Sequence, residues 1–305
     1  MSSRPPCIAL VSTREALDRD DDLAPLQAAL RAAGAAVDIA CWDDAQADWA
    51  RFDAALIRST WDYTWRLDEY LRWIDHAAAC TRLFNPPALL RWNTDKRYLG
   101  EMAQAGMAIV PTHFVAADAA IEPALDAAHA AWPHADLVIK PSVSAGSRDT
   151  MRHSSAARAA MRAHLAAIHA QGKRALIQPY LARVDSAGET ALLFFDGVFS
   201  HAIRKGPLLA ANAAATRALF APEHIQPRTP QADELALAQR VLAALPAPFN
   251  SAPGAPLYAR VDLLRDDAGA PCLIELELVE PSLFLDFAPG AAARLAQTLL
   301  RHARA

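Results

Sequence analysis

Within residues 258–284 the charged side chains fall at alternate positions: Arg260 and Asp262 in one run, Glu275 and Glu277 in the next. Successive side chains of a strand point to opposite faces, so each pair shares a face. Leu257, Val261 and Leu263, then Ile274, Leu276 and Leu278, occupy the other faces and suit a core. Between the runs, Asp266-Asp267-Ala268-Gly269 has the residue types of a tight turn. A loop centred near Ala268 and Gly269 sets Asp262 opposite Glu275 and Arg260 opposite Glu277. Three carboxylates then meet beside one guanidinium. Like charges this close repel unless positive charge intervenes. Hard oxygen ligands on a rigid hairpin suit Mg²⁺, above all Mg²⁺ carrying a nucleotide phosphate. The ordinary alternative is a solvated polar face, common on antiparallel sheets.

Cations lie upstream of that hairpin. Lys96 follows Asn93-Thr94-Asp95, where Asn93 or Thr94 can cap a helix running to Gly106. A lysine near a helix N-terminus opposes the dipole unless an anion is close. Lys140 closes an apolar run, 137–140, and residues 142–147 form a small-residue loop containing Ser144, Gly146 and Ser147. Such a loop lets backbone N–H groups approach a phosphate. It lacks the G-K-[ST] ending of a P-loop. Gln178-Pro179-Tyr180-Leu181 interrupts the pattern as a hinge or linker does. Runs 189–195 and 198–205 flank Asp196-Gly197, a strong two-residue turn. That turn sets Phe195 opposite Val198 and Glu189 opposite Arg204, with Lys205 one step beyond. Solvation or a cross-strand ion pair explains each of these residues singly. Their order points to chemistry: lysines for phosphates, a loop over them, carboxylates for Mg²⁺.

The elements that must position these residues are legible in outline. Strands at 8–12, 37–40 and 54–57 alternate with helices at 22–33 and 67–79, a βαβ pattern implying a small parallel sheet. Ligands in such sheets bind beyond the carboxyl ends of strands. Arg58-Ser59-Thr60-Trp61-Asp62-Tyr63 starts at such an end, and Arg58, Ser59 and Asp62 become substrate-side candidates. Asn85-Pro86-Pro87 reads as a boundary, since two prolines exclude a continuing helix. A helix over 155–171, a strand over 175–178 and helices over 233–245 and 290–302 complete the outline. Residues 206–230 have no period and read as a long loop of the functional kind. The fold class is α/β (α+β): an N-terminal parallel βαβ domain over 1–92, then subdomains over 93–181 and 182–305 with antiparallel sheets.

Composition narrows the classes. The 305 residues are 53% hydrophobic and 21% charged with net charge −4, and no basic run offers a nucleic-acid footprint. Neither an apolar leader region nor a membrane-length apolar run appears, so no membrane partner is expected. Cys7, Cys41, Cys80 and Cys272 are far apart and form no C-x-x-C pair, so a reduced, cytoplasmic setting is the default expectation.

In this order the residues resemble the ATP-grasp ligases over about residues 93–290. The matching strings are Asp262-Leu263-Leu264, Leu273-Ile274-Glu275-Leu276-Glu277 and Pro281-Ser282-Leu283. Such ligases commonly carry E-x-N where this chain has Glu275-Leu276-Glu277; a carboxylate in place of the amide still ligates Mg²⁺. RSTWDY, NTDKRYL and ELELVEPSLFL are similar to glutathione-synthetase-like members, and more narrowly to the cyclo-ligases that close O-ureido-D-serine to D-cycloserine. The resemblance implies an ATP- and Mg²⁺-dependent carboxylate–amine ligase using an acyl phosphate on a small amino-acid-like substrate. Ring closure and joining of two amino acids both fit. It implies one or two Mg²⁺ on Asp262, Glu275 and Glu277, with Mn²⁺ able to substitute. Lys96 and Lys140 would meet the α- and β-phosphates under the loop of Ser144, Gly146 and Ser147. The backbone of Gln178, Pro179, Tyr180 and Leu181 would read the adenine edge, and Glu189 the ribose. Lys205 and Arg260 would stabilise the transferring phosphoryl group, and Arg58, Ser59 and Asp62 would hold substrate. A non-catalytic nucleotide-binding regulator on the same fold is the competing reading. A metal scaffold without nucleotide explains the hairpin but not Lys140 and its loop.

Overall fold

The computed structural model describes residues 4–211, 218–219, 223–251 and 254–303. Its first sheet is parallel, built from β1 (Cys7–Ser12), β2 (Ala36–Cys41), β3 (Ala54–Ser59) and β4 (Arg82–Phe84) in the order β2-β1-β3-β4. Helices α1 (Leu23–Ala32) and α2 (Leu67–Cys80) make crossovers. The two central strands are apolar on both faces, as a covered parallel sheet requires. Ile8 and Leu10 point to α1, while Ala9 and Val11 point to an aromatic cluster of Trp42, Trp49, Tyr63, Tyr70 and Trp73.

Two short helices follow, α3 (Pro87–Asn93) and α4 (Tyr98–Gln104). The helix expected from Asn93 or Thr94 is therefore displaced. Pro87 opens α3, because proline is well placed in a first helical turn, where its missing N–H costs nothing. Asn93 ends that helix instead of capping the next. Its amide donates to Leu276 O at 2.8 Å, and its Oδ1 accepts from Leu278 N at 2.7 Å.

The second sheet is antiparallel: β5 (His113–Val115), β6 (Leu137–Pro141), β7 (Met151–His153) and β8 (Ala175–Pro179), ordered β5-β8-β6-β7. Leu137, Ile139 and Ile177 bury against α5 (Ile121–Ala131) and α6 (Arg158–Ala170). After the short α7 (Val184–Ala187) comes a third sheet of β9 (Glu189–Phe195), β10 (Val198–Lys205), β11 (Ile225–Arg228), β12 (Tyr258–Arg265) and β13 (Pro271–Glu277). It is antiparallel in the order β11-β10-β9-β12-β13, with α8 (Ala232–Ala243) packed on it. The loop expected over 206–230 thus contains a strand. β11 has a proline and no alternation, which an edge strand tolerates. Residues 212–217 and 220–222 of that loop lie outside the described residues.

Packing crosses the limits expected at residues 92 and 181. Tyr98, Leu99 and Met102 of α4 share a core with Leu192, Val261 and Leu276 of the third sheet. The last helix, α9 (Ala291–Ala303), buries Leu295 and Leu299 against Leu26 and Leu30 of α1. Among the described residues no helix is long and apolar enough to cross a membrane, and the four cysteines are free.

Candidate active site

The β12–β13 hairpin has the register its charges predict, Arg260 opposite Glu277 and Asp262 opposite Glu275. Directly after Asp262 a bulge shifts the pairing, so that Leu263 faces Leu273. The extra residue turns Ile274 out of the core expected for it and into a cleft of about 630 Å³. The cleft is also lined by Lys96, Lys140, Ser144, Gly146, Ser147, Gln178, Pro179, Tyr180, Leu181, Glu189, Lys205, Arg260, Glu275 and Glu277.

Asp262 is the most enclosed acid of this group. Arg260 Nε and Nη2 each reach it at 2.9 Å, as does Lys205 Nζ. Lys205 also meets Glu189 Oε1 at 2.8 Å. A bulge in β10 between Phe199 and His201 creates that contact. It sets Lys205, not the expected Arg204, opposite Glu189. Arg204 turns instead to the carbonyls of Ser186 and Ala187. Gly188, at φ +73°, lets β9 start this close to β10: a Cβ there would lie 2.6 Å from Lys205 O. Arg260 ion-pairs with Glu277 as well, and Lys96 Nζ meets Glu275 Oε1 at 3.1 Å and Ser144 Oγ at 3.1 Å.

Charge neighbours set the titration of these groups. Burial raises the Asp262 carboxyl, but Arg260 and Lys205 outweigh it and bring it to about 2. Burial likewise raises Glu275, and Lys96 with Lys140 overcome it, leaving that carboxyl below its ordinary range. Burial wins at Glu189 and Glu277, each pushed up to about 7. It also brings Lys140 down to about 8. Lys140 is only 6% exposed, yet it makes no ion pair with any described residue. A buried ammonium beside a loop of small residues is incomplete without an anion. Across that loop Ser147 and Asp149 hold positive φ, a conformation a non-glycine residue adopts only when its surroundings enforce it.

The donors suit Mg²⁺ in type, being oxygen only, and the side chains of Glu275 and Glu277 are each 25% exposed to the cleft. Among the described residues, however, no three acidic, histidine or cysteine side chains converge closely enough to hold an ion as they stand. Each carboxylate leans toward a cation, and Arg260 and Lys205 each serve two of them, which a bound nucleotide would have to draw off.

Three expected substrate residues do not reach the cleft. Arg58 is fully buried, bonded to Pro281 O at 2.9 Å and near Asp22 at 3.4 Å. Ser59 pairs with Ser12 at 2.7 Å. Asp62 accepts from Trp42 Nε1 at 2.9 Å and pairs with Arg66. Polarity at this strand end serves packing: Arg58 ties the N-terminal sheet to the segment after the hairpin, while Ser59 and Asp62 bond within the N-terminal unit. Conversely, Val110, Val138, Leu264 and Ile274 form apolar walls with Leu181, suited to a flat base. Apolar residues carry no functional signal in sequence, although the face of β12 that bears Asp262 also bears Leu264.

A sequence profile of the D-cycloserine synthetase DcsG N-terminal domain matches residues 8–85. Over 294 residues the chain is 38% identical to the cycloserine biosynthesis protein DcsG of Streptomyces lavendulae, covering 96% of this chain and 97% of that protein. The crystal structure of D-cycloserine synthetase DcsG superposes with a TM-score of 0.91 at 36% identity, over 97% of this chain and 99% of that one. The ATP-grasp ligase PsnB, complexed with precursor peptide PsnA2 and AMPPNP, gives 0.62 at 16% identity over 99% of both chains, a likeness of fold alone. With three sheets arranged in this way around a cleft of lysines and carboxylates, the protein is an ATP-dependent ligase of the ATP-grasp class. Within that class the chain belongs to the DcsG family.

Proposed function

We propose that this ligase is a Mg²⁺- and ATP-dependent cyclo-ligase acting on a small amino-acid derivative of the O-ureido-D-serine type. Buried, unpaired Lys140 beside the 142–147 loop carries the nucleotide part of the reading, and kinship with DcsG carries the substrate part. A substrate carboxylate oxygen attacks the γ-phosphorus, and the bond to the β-phosphate oxygen breaks as ADP leaves. A nitrogen of the same molecule then attacks the acyl carbon. The carbon–oxygen bond to phosphate breaks, and the nitrogen gives up its proton. Lys96 and Lys140 hold the α- and β-phosphates under Ser144, Gly146 and Ser147. Gln178, Pro179, Tyr180 and Leu181 edge the base, and Glu189 takes the ribose. Lys205 and Arg260 neutralise charge on the transferring group and on the tetrahedral centre, the largest contribution such a site offers. Glu275, Glu277 and Asp262 would hold one or two Mg²⁺, or Mn²⁺ in its place. The bound metal would neutralise phosphate charge.

ADP release measured with ATP, Mg²⁺ and amino-acid derivatives, singly and in pairs, tests this reading. Turnover of O-ureido-D-serine alone supports ring closure. Release that requires two amino acids assigns a peptide-type ligase instead, and no release from any of them refutes the ligase chemistry.

A further inference from the structure

Glu280 also lines the cleft and is 7% exposed. The other buried acids discussed above all have a cation: Lys205 and Arg260 for Asp262, Arg260 for Glu277, Lys96 for Glu275, Lys205 for Glu189. The Glu280 carboxylate makes no hydrogen bond or ion pair with a described residue; only its backbone oxygen is engaged. Burial first, then Glu277, pushes its pKa up to about 8 against the pull of Lys96 and Arg260.

The backbone around Glu280 is fastened from the other side of the molecule. Trp61 Nε1 donates to Glu280 O at 3.2 Å and Arg58 to Pro281 O at 2.9 Å. Asp22 accepts the N–H groups of Leu283 at 2.6 Å, Phe284 at 3.1 Å and Leu285 at 2.7 Å. A carboxylate held in place, nearly buried and unpaired, is costly, and a bound cation removes the cost. Asp20 lines the same cleft with a buried Oδ2 that has no partner. The nearby lining includes the apolar Phe284 and Phe287, as a small organic molecule needs. A metal ion would need several converging donors. A singly charged ammonium needs only one or two.

We propose that Glu280 recognises the ammonium group of the amino-acid-like substrate and gives the cleft its preference for an amino acid over the corresponding plain acid. This rests on the ligase reading above. It gives Arg58 and Trp61 a positioning role, since they hold the segment that carries Glu280.

The test is equilibrium binding, with AMPPNP and Mg²⁺ present, of O-ureido-D-serine and of its analogue bearing hydrogen in place of the α-amino group. The wild type should prefer the amino compound by at least about tenfold, and Glu280→Gln should bind both alike. The variant's Tm at neutral pH should equal or exceed that of the wild type, because the amide avoids the cost of burying a carboxyl whose pKa is pushed up to about 8. A preference that survives in Glu280→Gln overturns the inference. So does a wild type that shows no preference or binds neither compound, and so does a fall in Tm, which would mark Glu280 as structural. ADP release by the wild type judges the ligase reading separately. Preference lost in the variant without any ADP release would refute that reading and leave the Glu280 assignment standing.

Discussion

Lys205→Met removes the cation shared by Asp262 and Glu189 while keeping the side chain's length and apolar stem. Breaking a buried ion pair ordinarily costs about 3–5 kcal/mol, because a charge is left uncompensated. Two features lower that figure here. Asp262 keeps Arg260, which reaches it at 2.9 Å from two nitrogens. Glu189 already titrates at about 7 and can take up a proton near neutrality. The expected loss is about 2–3 kcal/mol at pH 7, a fall in Tm of roughly 4–8 °C. The sign with pH follows from Glu189. Its folded pKa lies above its ordinary 4.5 and rises further without Lys205. A raised carboxylate destabilises the fold progressively as pH rises from the unfolded value to the folded one. The variant's deficit should therefore widen from pH 5.5 to pH 8. Denaturant unfolding of both proteins without nucleotide, at those two pH values, measures it. Turnover should fall by about 10³-fold. A variant as stable as the wild type at both pH values refutes the charge balance, and ADP release within tenfold of wild type removes Lys205 from phosphoryl transfer.

Glu275→Gln should retain the fold while ADP release drops by at least about 10²-fold; unchanged release would end the assignment of this residue to the metal. Gly188→Ala should cost about 2–3 kcal/mol in denaturant unfolding, from the positive φ and the clash with Lys205 O. It should also slow turnover by displacing Lys205, and wild-type behaviour in both assays would show that the strand end yields freely. His153 is 1% exposed beside His164, and burial, then His164, brings it down to about 4. The unfolded chain binds its proton first, so stability should decline as pH falls from 6.5 towards 4, by about 3 kcal/mol. His153→Phe should flatten that decline, and equal slopes in the two proteins would assign it to other groups.

Alternation of charge made the β12–β13 register readable, because a one-residue slip of either strand would turn its two charged side chains into the apolar core. The same logic failed by one residue in β10. A bulge leaves no mark in the pattern Val198-Phe199-Ser200-His201, yet it decides whether Arg204 or Lys205 meets Glu189. Strands β4, β5 and β7 have three residues each, too few for a period to show. Pro87 was legible as a break but not as a helix start, since both readings need the same residue. Arg58, Ser59 and Asp62 had the polarity of a binding loop; only the packing shows that Pro281, Ser12 and Trp42 use it up. Glu280 could have been noticed as an acid inside the apolar run Leu278-Val279-Glu280-Pro281, where a charge without a purpose is unexpected.

Asp22 joins parts of the chain 261 to 263 residues apart. The end of the cleft that carries Glu280 therefore has no local precursor. A nascent chain that has emerged only as far as β13 holds its lysines and carboxylates but cannot yet anchor the 280–285 segment or cover α1 with α9. Contacts of such high sequence separation form late, after the entropy of closing nearly the whole chain has been overcome. The lysines and carboxylates proposed to bind ATP can be in place before the wall proposed to select the substrate, so on that reading the order of assembly during synthesis runs from nucleotide to substrate.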